Sequence, residues 1–202
     1  MATLLQAIVG LGNPGPRYEY TRHNAGYWLL DRLAADFGAS FRTEKKMRGE
    51  LASVAIGGQK VWLLKPDTFV NRSGESVQAL TSYYRLAPES VLLVYDELDL
   101  EAGDLRFKAD GGHGGHNGLR DIFSRTGQRS FPRLRIGIGH PGHRDQVTGY
   151  VLGRPSAVDR RAIEEAMDKA LQLIPQYVNG EWEKATHQLH TDMRGSAGRE
   201  TS

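Results

Sequence analysis

The chain has 202 residues, with 26 Lys+Arg against 24 Asp+Glu for a formal net charge of +2, and it has no cysteine. Disulfides, thiol nucleophiles, iron–sulfur clusters and cysteine-ligated zinc are therefore excluded. At 39% hydrophobic and 25% charged residues the chain can bury a core, and its mild basic excess permits a nucleic-acid partner without requiring one.

In chain order, Ala7-Ile8-Val9 reads as a buried strand entering a glycine-rich loop. Leu30, Leu33, Ala34 and Phe37 follow at helical spacing, with Asn24 as candidate N-cap and Gly38 as stop. Leu51–Ile56 and Val61–Leu64 flank Gly57-Gly58 as a hairpin. Val77, Leu80, Thr81 and Tyr84 mark a second helix, capped by Asn71 or Ser73. Val91–Tyr95 is apolar throughout and reads as a central strand. Leu105–Ala109 and Leu134–Ile138 read as two more, with a short helix through Leu119, Ile122 and Phe123 ending near Gly127. Ser156 and Asp159 resemble a capping box opening a helix that Pro175 interrupts. A short helix over Trp182–Leu189 precedes a polar tail, 194–202, expected to be mobile. Strands interleaved with helices and no linker indicate one α/β domain over 1–193. The first 15 residues lack a basic leader and the longest apolar runs are strand-sized, so a cytoplasmic protein without membrane association is expected.

Functional groups crowd onto the loops. Gly10-Leu11-Gly12-Asn13-Pro14-Gly15 formally matches a dinucleotide fingerprint. That motif works by starting a helix at the pyrophosphate, and here Pro14 and Pro16 intervene and no helical period begins before His23. The loop instead presents Asn13, Tyr18, Thr21, Arg22, His23 and Asn24; His23 is the one side chain among them that exchanges protons near neutrality. Lys65–Gly74 again follows a strand and exposes Asn71. Asp96-Glu97-Leu98-Asp99 could hold a divalent ion, but an acid orienting a histidine needs fewer assumptions. Gly111–Gly118 is too glycine-rich for a packed element and suits a flap. The two H-x-x-H pairs, His113/His116 and His140/His143, lie on no predicted helix, so no metal site is expected. Seven basic residues between Leu105 and Arg135 (106, 108, 120, 125, 129, 133, 135) face two acids, a suitable stretch for a polyphosphate. No G-x-S-x-G elbow is present, which leaves water as the attacking group of any hydrolase.

Taken together, GLGNPG (10–15), Tyr18 with TRHNAG (21–26), Lys65-Pro66 with Thr68-Phe69, Asn71 and Ser73-Gly74, DELDL (96–100), GGHGGHNGL (111–119) and RLRIGIGHP (133–141) resemble bacterial peptidyl-tRNA hydrolase. The resemblance implies a single α/β domain with a twisted mixed sheet surrounded by helices. It implies a monomer, without metal or cofactor, that cleaves the ester between a peptide and the 3′-terminal ribose of tRNA and so recycles tRNA from stalled or aborted translation. It makes His23 the general base, with no covalent intermediate, Asp96 the group orienting its imidazole, and Asn13 the reader of N-blocked substrates. Tyr18, Phe69, Asn71 and Asn117 would contact the peptide and the 3′ CCA end, and Arg106, Lys108 and Arg135 the acceptor-stem phosphates. Val70 stands where the family pattern usually has Met, and Arg106 where Lys is frequent. The alternative is a non-catalytic RNA-binding protein of the same fold.

Overall fold

The apolar run expected at the centre of the sheet does lie there. In this computed structural model, which describes residues 3–197, β5 (Val91–Glu97) pairs in parallel with β1 (Ala7–Gly10) on one side and β7 (Arg133–Gly137) on the other. β4 (Gln59–Pro66) adds in parallel beyond β1. The remaining strands are antiparallel: β3 (Gly49–Ile56) forms a hairpin with β4, short β2 (Arg42–Glu44) lies outside β3, and β6 (Leu105–Lys108) closes the opposite edge on β7. The order is β2-β3-β4-β1-β5-β7-β6, a mixed seven-stranded sheet. The hairpin turn falls on Gly57 and Gly58, whose φ values of 57° and 79° suit a two-residue turn.

Six helices cover both faces among the described residues. Packed against one face, α1 (Ala25–Asp36), α5 (Ala157–Val178) and α6 (Trp182–Ala197) meet Ile8, Leu63, Leu92, Val94, Leu134 and Ile136. On the other, α2 (Ser73–Tyr84) and α3 (Asn117–Thr126) meet Ala7, Val9, Leu64, Val91, Leu93 and Tyr95. α4 (Val147–Val151) is a single short turn after β7. The parallel strands β1, β4 and β5 point their C-terminal ends the same way; the connections after β1 and β4 carry Asn13 to His23 and Phe69 to Asn71, and the end of β5 itself carries Asp96. No helix among the described residues is long and apolar enough to cross a membrane.

Close helix packing sets where the first loop ends. A Cβ on Gly26 would sit 2.5 Å from the Val94 carbonyl oxygen and 2.6 Å from the Leu11 nitrogen. Only glycine lets the first turn of α1 rest on the ends of β1 and β5, which brings the residues just before it over the end of the central strand. Gly10 and Gly12 fit the same purpose, their Cβ positions being filled by Gly26 and the Tyr27 ring.

Several local expectations need correction. Asn24 stands at the N-cap of α1 but makes no capping bond, because its amide is used elsewhere. Neither Asn71 nor Ser73 caps α2: the flanking residue is Arg72, the Ser73 hydroxyl donates to the Val70 carbonyl, and an orphan N–H at Gly74 is taken by Asp121 from α3. Pro175 does not interrupt α5, which continues to Val178; Ser156 caps that helix as expected. The last helix runs from Trp182 past Leu189 to Ala197, so the tail expected from Arg194 begins as helix, and residues 198–202 lie outside the described residues. β2, short and largely exposed, has no apolar alternation to announce it.

Candidate active site

At the end of β5 the side chain of Asp96 is 2% exposed, and a buried carboxylate needs partners. Two imidazoles supply them. His23 Nδ1 lies 2.9 Å from both Asp96 oxygens, and His116 Nε2 lies 3.1 Å from Oδ1. His23 projects from the turn Arg22–Asn24 that leads into α1, and its side chain keeps 15% exposure, so its far edge reaches solvent. His116 is the N-cap of α3.

Hydrogen positions follow from the partners. His116 Nδ1 accepts the N–H groups of Gly118 (3.1 Å) and Leu119 (3.4 Å), so this nitrogen carries no hydrogen. The ring is therefore neutral, with its hydrogen on Nε2 donated to Asp96. His23, facing the same carboxylate through Nδ1, donates from Nδ1 and leaves Nε2 with a lone pair. Burial pushes the His23 pKa down, but the Asp96 charge and hydrogen bond outweigh it and raise the value above the ordinary 6.5. Burial would lift the Asp96 carboxyl, yet His23 and His116 hold it well below the usual carboxylate range. The three side chains offer ligand atoms within 4.8 Å of one another. Those atoms are already joined as N–H donors and carboxylate acceptors, and an ion would have to displace the two hydrogens.

Around this pair stand carboxamides. Asn13 is buried, and its Oδ1 accepts the Val70 N–H at 2.8 Å. Since only the oxygen accepts, the amide orientation is fixed and its NH2 group is the end left for a ligand. Asn24, the residue after His23, clamps Asn13 by accepting from its N–H (2.8 Å) and donating to its carbonyl (2.9 Å). Asn71 and Asn117 are exposed, the first on the turn Val70–Arg72 and the second directly after His116. The two turns meet, because a Cβ on Gly118 would be 2.9 Å from the Val70 side chain. Phe69 is 54% exposed and stands edge-on to Tyr18, with ring centres 5.9 Å apart. Asn13, Tyr18, His23, Phe69, Asn71, Asp96 and Asn117 thus gather at one end of the sheet.

The basic residues lie further out. In register, Arg135 is opposite Tyr95, the neighbour of Asp96, and Arg106 is opposite Arg135. Two strand spacings put Arg106 about 10 Å across from Tyr95. Arg135 is 3.7 Å from Glu97 and Arg106 3.3 Å from Asp104, both half-buried, while Lys108 is exposed. Arg133, another member of the basic stretch, is spent internally: it is buried and donates to the carbonyls of Gly111, Gly112 and Arg129. It anchors the glycine segment instead of facing a ligand.

Two residues were missed from sequence. His116 was visible only as half of an H-x-x-H pair, although its place just before a helix marks a capping role. Asn24 has the residue type of a cap but orients Asn13 instead. His113 and His140 each accept an N–H two residues on, as turn-forming groups do.

Comparison with known proteins identifies the family. A family profile described as peptidyl-tRNA hydrolase matches residues 7–196. The chain is 53% identical over 191 residues to the peptidyl-tRNA hydrolase of Neisseria gonorrhoeae (strain NCCP11945), covering 95% of this chain and 100% of that one. It is 51% identical to that of Halorhodospira halophila, covering 91% and 94%. Among solved structures, peptidyl-tRNA hydrolase from Acinetobacter baumannii superposes with a TM-score of 0.89 at 44% identity, covering 92% and 94%.

The raised His23 pKa has a direct check. An NMR titration is expected to place the His23 midpoint above 6.5, with the neutral ring gaining population as pH rises through it. Asp96→Asn removes the raising cause and leaves burial, so its midpoint should fall below 6.5. A wild-type midpoint below 6.5 would contradict the pairing.

Proposed function

The chain belongs to the peptidyl-tRNA hydrolase family, and we propose that it cleaves the ester joining a peptide to the 3′-terminal ribose of tRNA with a water activated by His23. The observation that carries this reading is the 2.9 Å contact between Asp96 and His23 Nδ1, which leaves Nε2 as the basic edge of a part-exposed ring. Nε2 takes a proton from water as the oxygen adds to the ester carbonyl. The resulting imidazolium is stabilised by Asp96 and returns the proton to the ribose oxygen as the C–O bond breaks. The products are the free peptide acid and tRNA with a free 3′ hydroxyl, and no covalent intermediate forms.

The Asn13 NH2 donates to a carbonyl of the peptide next to the ester, favouring N-blocked substrates. An amide donor held at a developing oxyanion is worth about 3 kcal/mol in other hydrolases. Asn71 and Asn117 offer both donors and acceptors, so they recognise peptide backbone without selecting side chains. Tyr18 and Phe69 present ring faces to the 3′ CCA end and the peptide. The strand-edge cations Arg106, Lys108 and Arg135 meet phosphates of the acceptor stem, each contributing a salt-sensitive share of affinity. One copy of the chain suffices for this site, and its substrate pool is cytoplasmic.

Two outcomes are expected. His23→Ala should lower turnover of N-acetylaminoacyl-tRNA by roughly a hundredfold to ten-thousandfold while leaving tRNA affinity little changed. Turnover at the wild-type rate would point to a different base, whereas absence of ester cleavage by the unmodified chain would favour a non-catalytic RNA-binding protein. Separately, tRNA affinity should fall steeply with salt, and removing Arg106, Lys108 or Arg135 should each lower the log–log slope by about one. A slope unchanged by all three substitutions would take the strand edge out of the interface.

A further inference from the structure

Arg22 sits beside the proposed base, and among the described residues its donated hydrogen bonds and ring contact go to Gly153 and Tyr150 and not to Asp96, the carboxamides or the strand-edge cations. Its backbone N–H donates to the Gly153 carbonyl at 3.0 Å, and its Nη1 donates to the Tyr150 carbonyl at 2.9 Å. The guanidinium carbon also lies 3.8 Å from the centre of the Tyr150 ring. A Cβ on Gly153 would be 3.1 Å from Nη1, so glycine there leaves room for the cation. Tyr150 is itself anchored, since its hydroxyl donates to the Ile138 carbonyl, just beyond β7, at 2.6 Å.

Residues 139–153 therefore form a closed strap. It leaves the sheet after Ile138, returns through α4, and is pinned to its own root by Tyr150 and to the His23 turn by Arg22. The attachment is specific to arginine. A planar guanidinium stacks on a ring and reaches a carbonyl at once, whereas a lysine ammonium is a point charge. Its Nε is buried without a partner, a desolvation cost that the stacked geometry has to offset. Turn residues on both sides of His23 are thus tied to rigid neighbours: Asn24 to Asn13, and Arg22 to the strap.

We propose that Arg22 is a positioning residue for the reaction: by locking the 139–153 strap to the turn Arg22–Asn24 it holds the His23 imidazole in line with Asp96. The proposal rests on His23 being the base. Arg22 is absent from the chemistry itself, and its effect passes through the backbone that carries the imidazole.

The test compares Arg22→Ala, Arg22→Lys and Tyr150→Leu with wild type and His23→Ala in the full chain, using N-acetylaminoacyl-tRNA as substrate. Arg22→Ala should lower kcat about tenfold or more, since sub-ångström to ångström misplacement of a catalytic group carries penalties of that order. KM and tRNA affinity should stay near wild type. The proton resonance of His23 Nδ1–H, held by Asp96, should weaken or vanish. Arg22→Lys should recover only part of kcat. Tyr150→Leu removes the same stack from the strap side, so it should reproduce the loss even if Arg22→Ala folds poorly, and the double variant should lose little more than either single change. A kcat near wild type in both Arg22→Ala and Tyr150→Leu, or a loss of kcat with the His23 resonance unaltered, overturns the proposal. If His23→Ala turns over normally, the assignment of the base falls and this proposal with it; if His23→Ala is inactive and the Arg22 variants are not, only the role of Arg22 falls.

Discussion

A carboxylate buried at the end of an interior strand has to be compensated, and much of this site follows from how Asp96 achieves it. An unpaired buried charge costs several kcal/mol, so the fold must deliver donors to it. Both donors are imidazoles, each with its Asp96-facing hydrogen assigned by a second contact or by the carboxylate itself. His116 is fixed by the two α3 amides that fill its Nδ1, and His23 by having only Asp96 at its Nδ1. The free lone pair on His23 Nε2 is a consequence of that pairing. The segment carrying His116 is held separately, since Arg133 grips the carbonyls of Gly111 and Gly112 from below.

Charge and neutrality are segregated across the sheet. Carboxamides stand around the His23–Asp96 pair, and the cation next to it, Arg22, is directed away to the Tyr150 carbonyl and ring. The strand-edge arginines and Lys108 begin one residue to the side, at the register partner of Tyr95, and run outward along β7 and β6. The strand-edge cations thereby stand one strand spacing from β5 at Arg135 and roughly two at Arg106. Gly10 at the end of β1 and Gly26 in the first turn of α1 serve neither backbone recognition nor phosphate recognition directly: they let α1 pack against the strand ends, which lets the three-residue turn Arg22–Asn24 place His23 beside Asp96, 73 positions away.

Most of the sheet was legible in the sequence because its central strands are continuous apolar runs, and the Gly57-Gly58 hairpin because its turn chemistry is local. The contents of the site were legible as loops loaded with polar groups, while the roles of His23 and Asp96 came through family resemblance and not through spacing. What stayed hidden depends on tertiary partners. Asn24 has the right residue type for a cap, but a buried backbone pair at Asn13 outcompetes the helix end for its amide. His116 is visible only as half of an H-x-x-H pair until β5 brings Asp96 beside it. Arg133 counts as surface charge in any tally of basic residues, and only folding shows it buried under the glycine segment. Pro175 removes one donor from α5, and the packed helix tolerates the loss.

The central claim is that Asp96 sets the tautomer of His23, while the α3 amides set that of His116. Long-range proton–nitrogen correlation of the histidine rings, recorded above the His23 midpoint, reads this directly. The account predicts hydrogen on Nδ1 and none on Nε2 in His23, with the reverse in His116. A His23 ring protonated on Nε2 at that pH would leave no base facing the substrate and would contradict it.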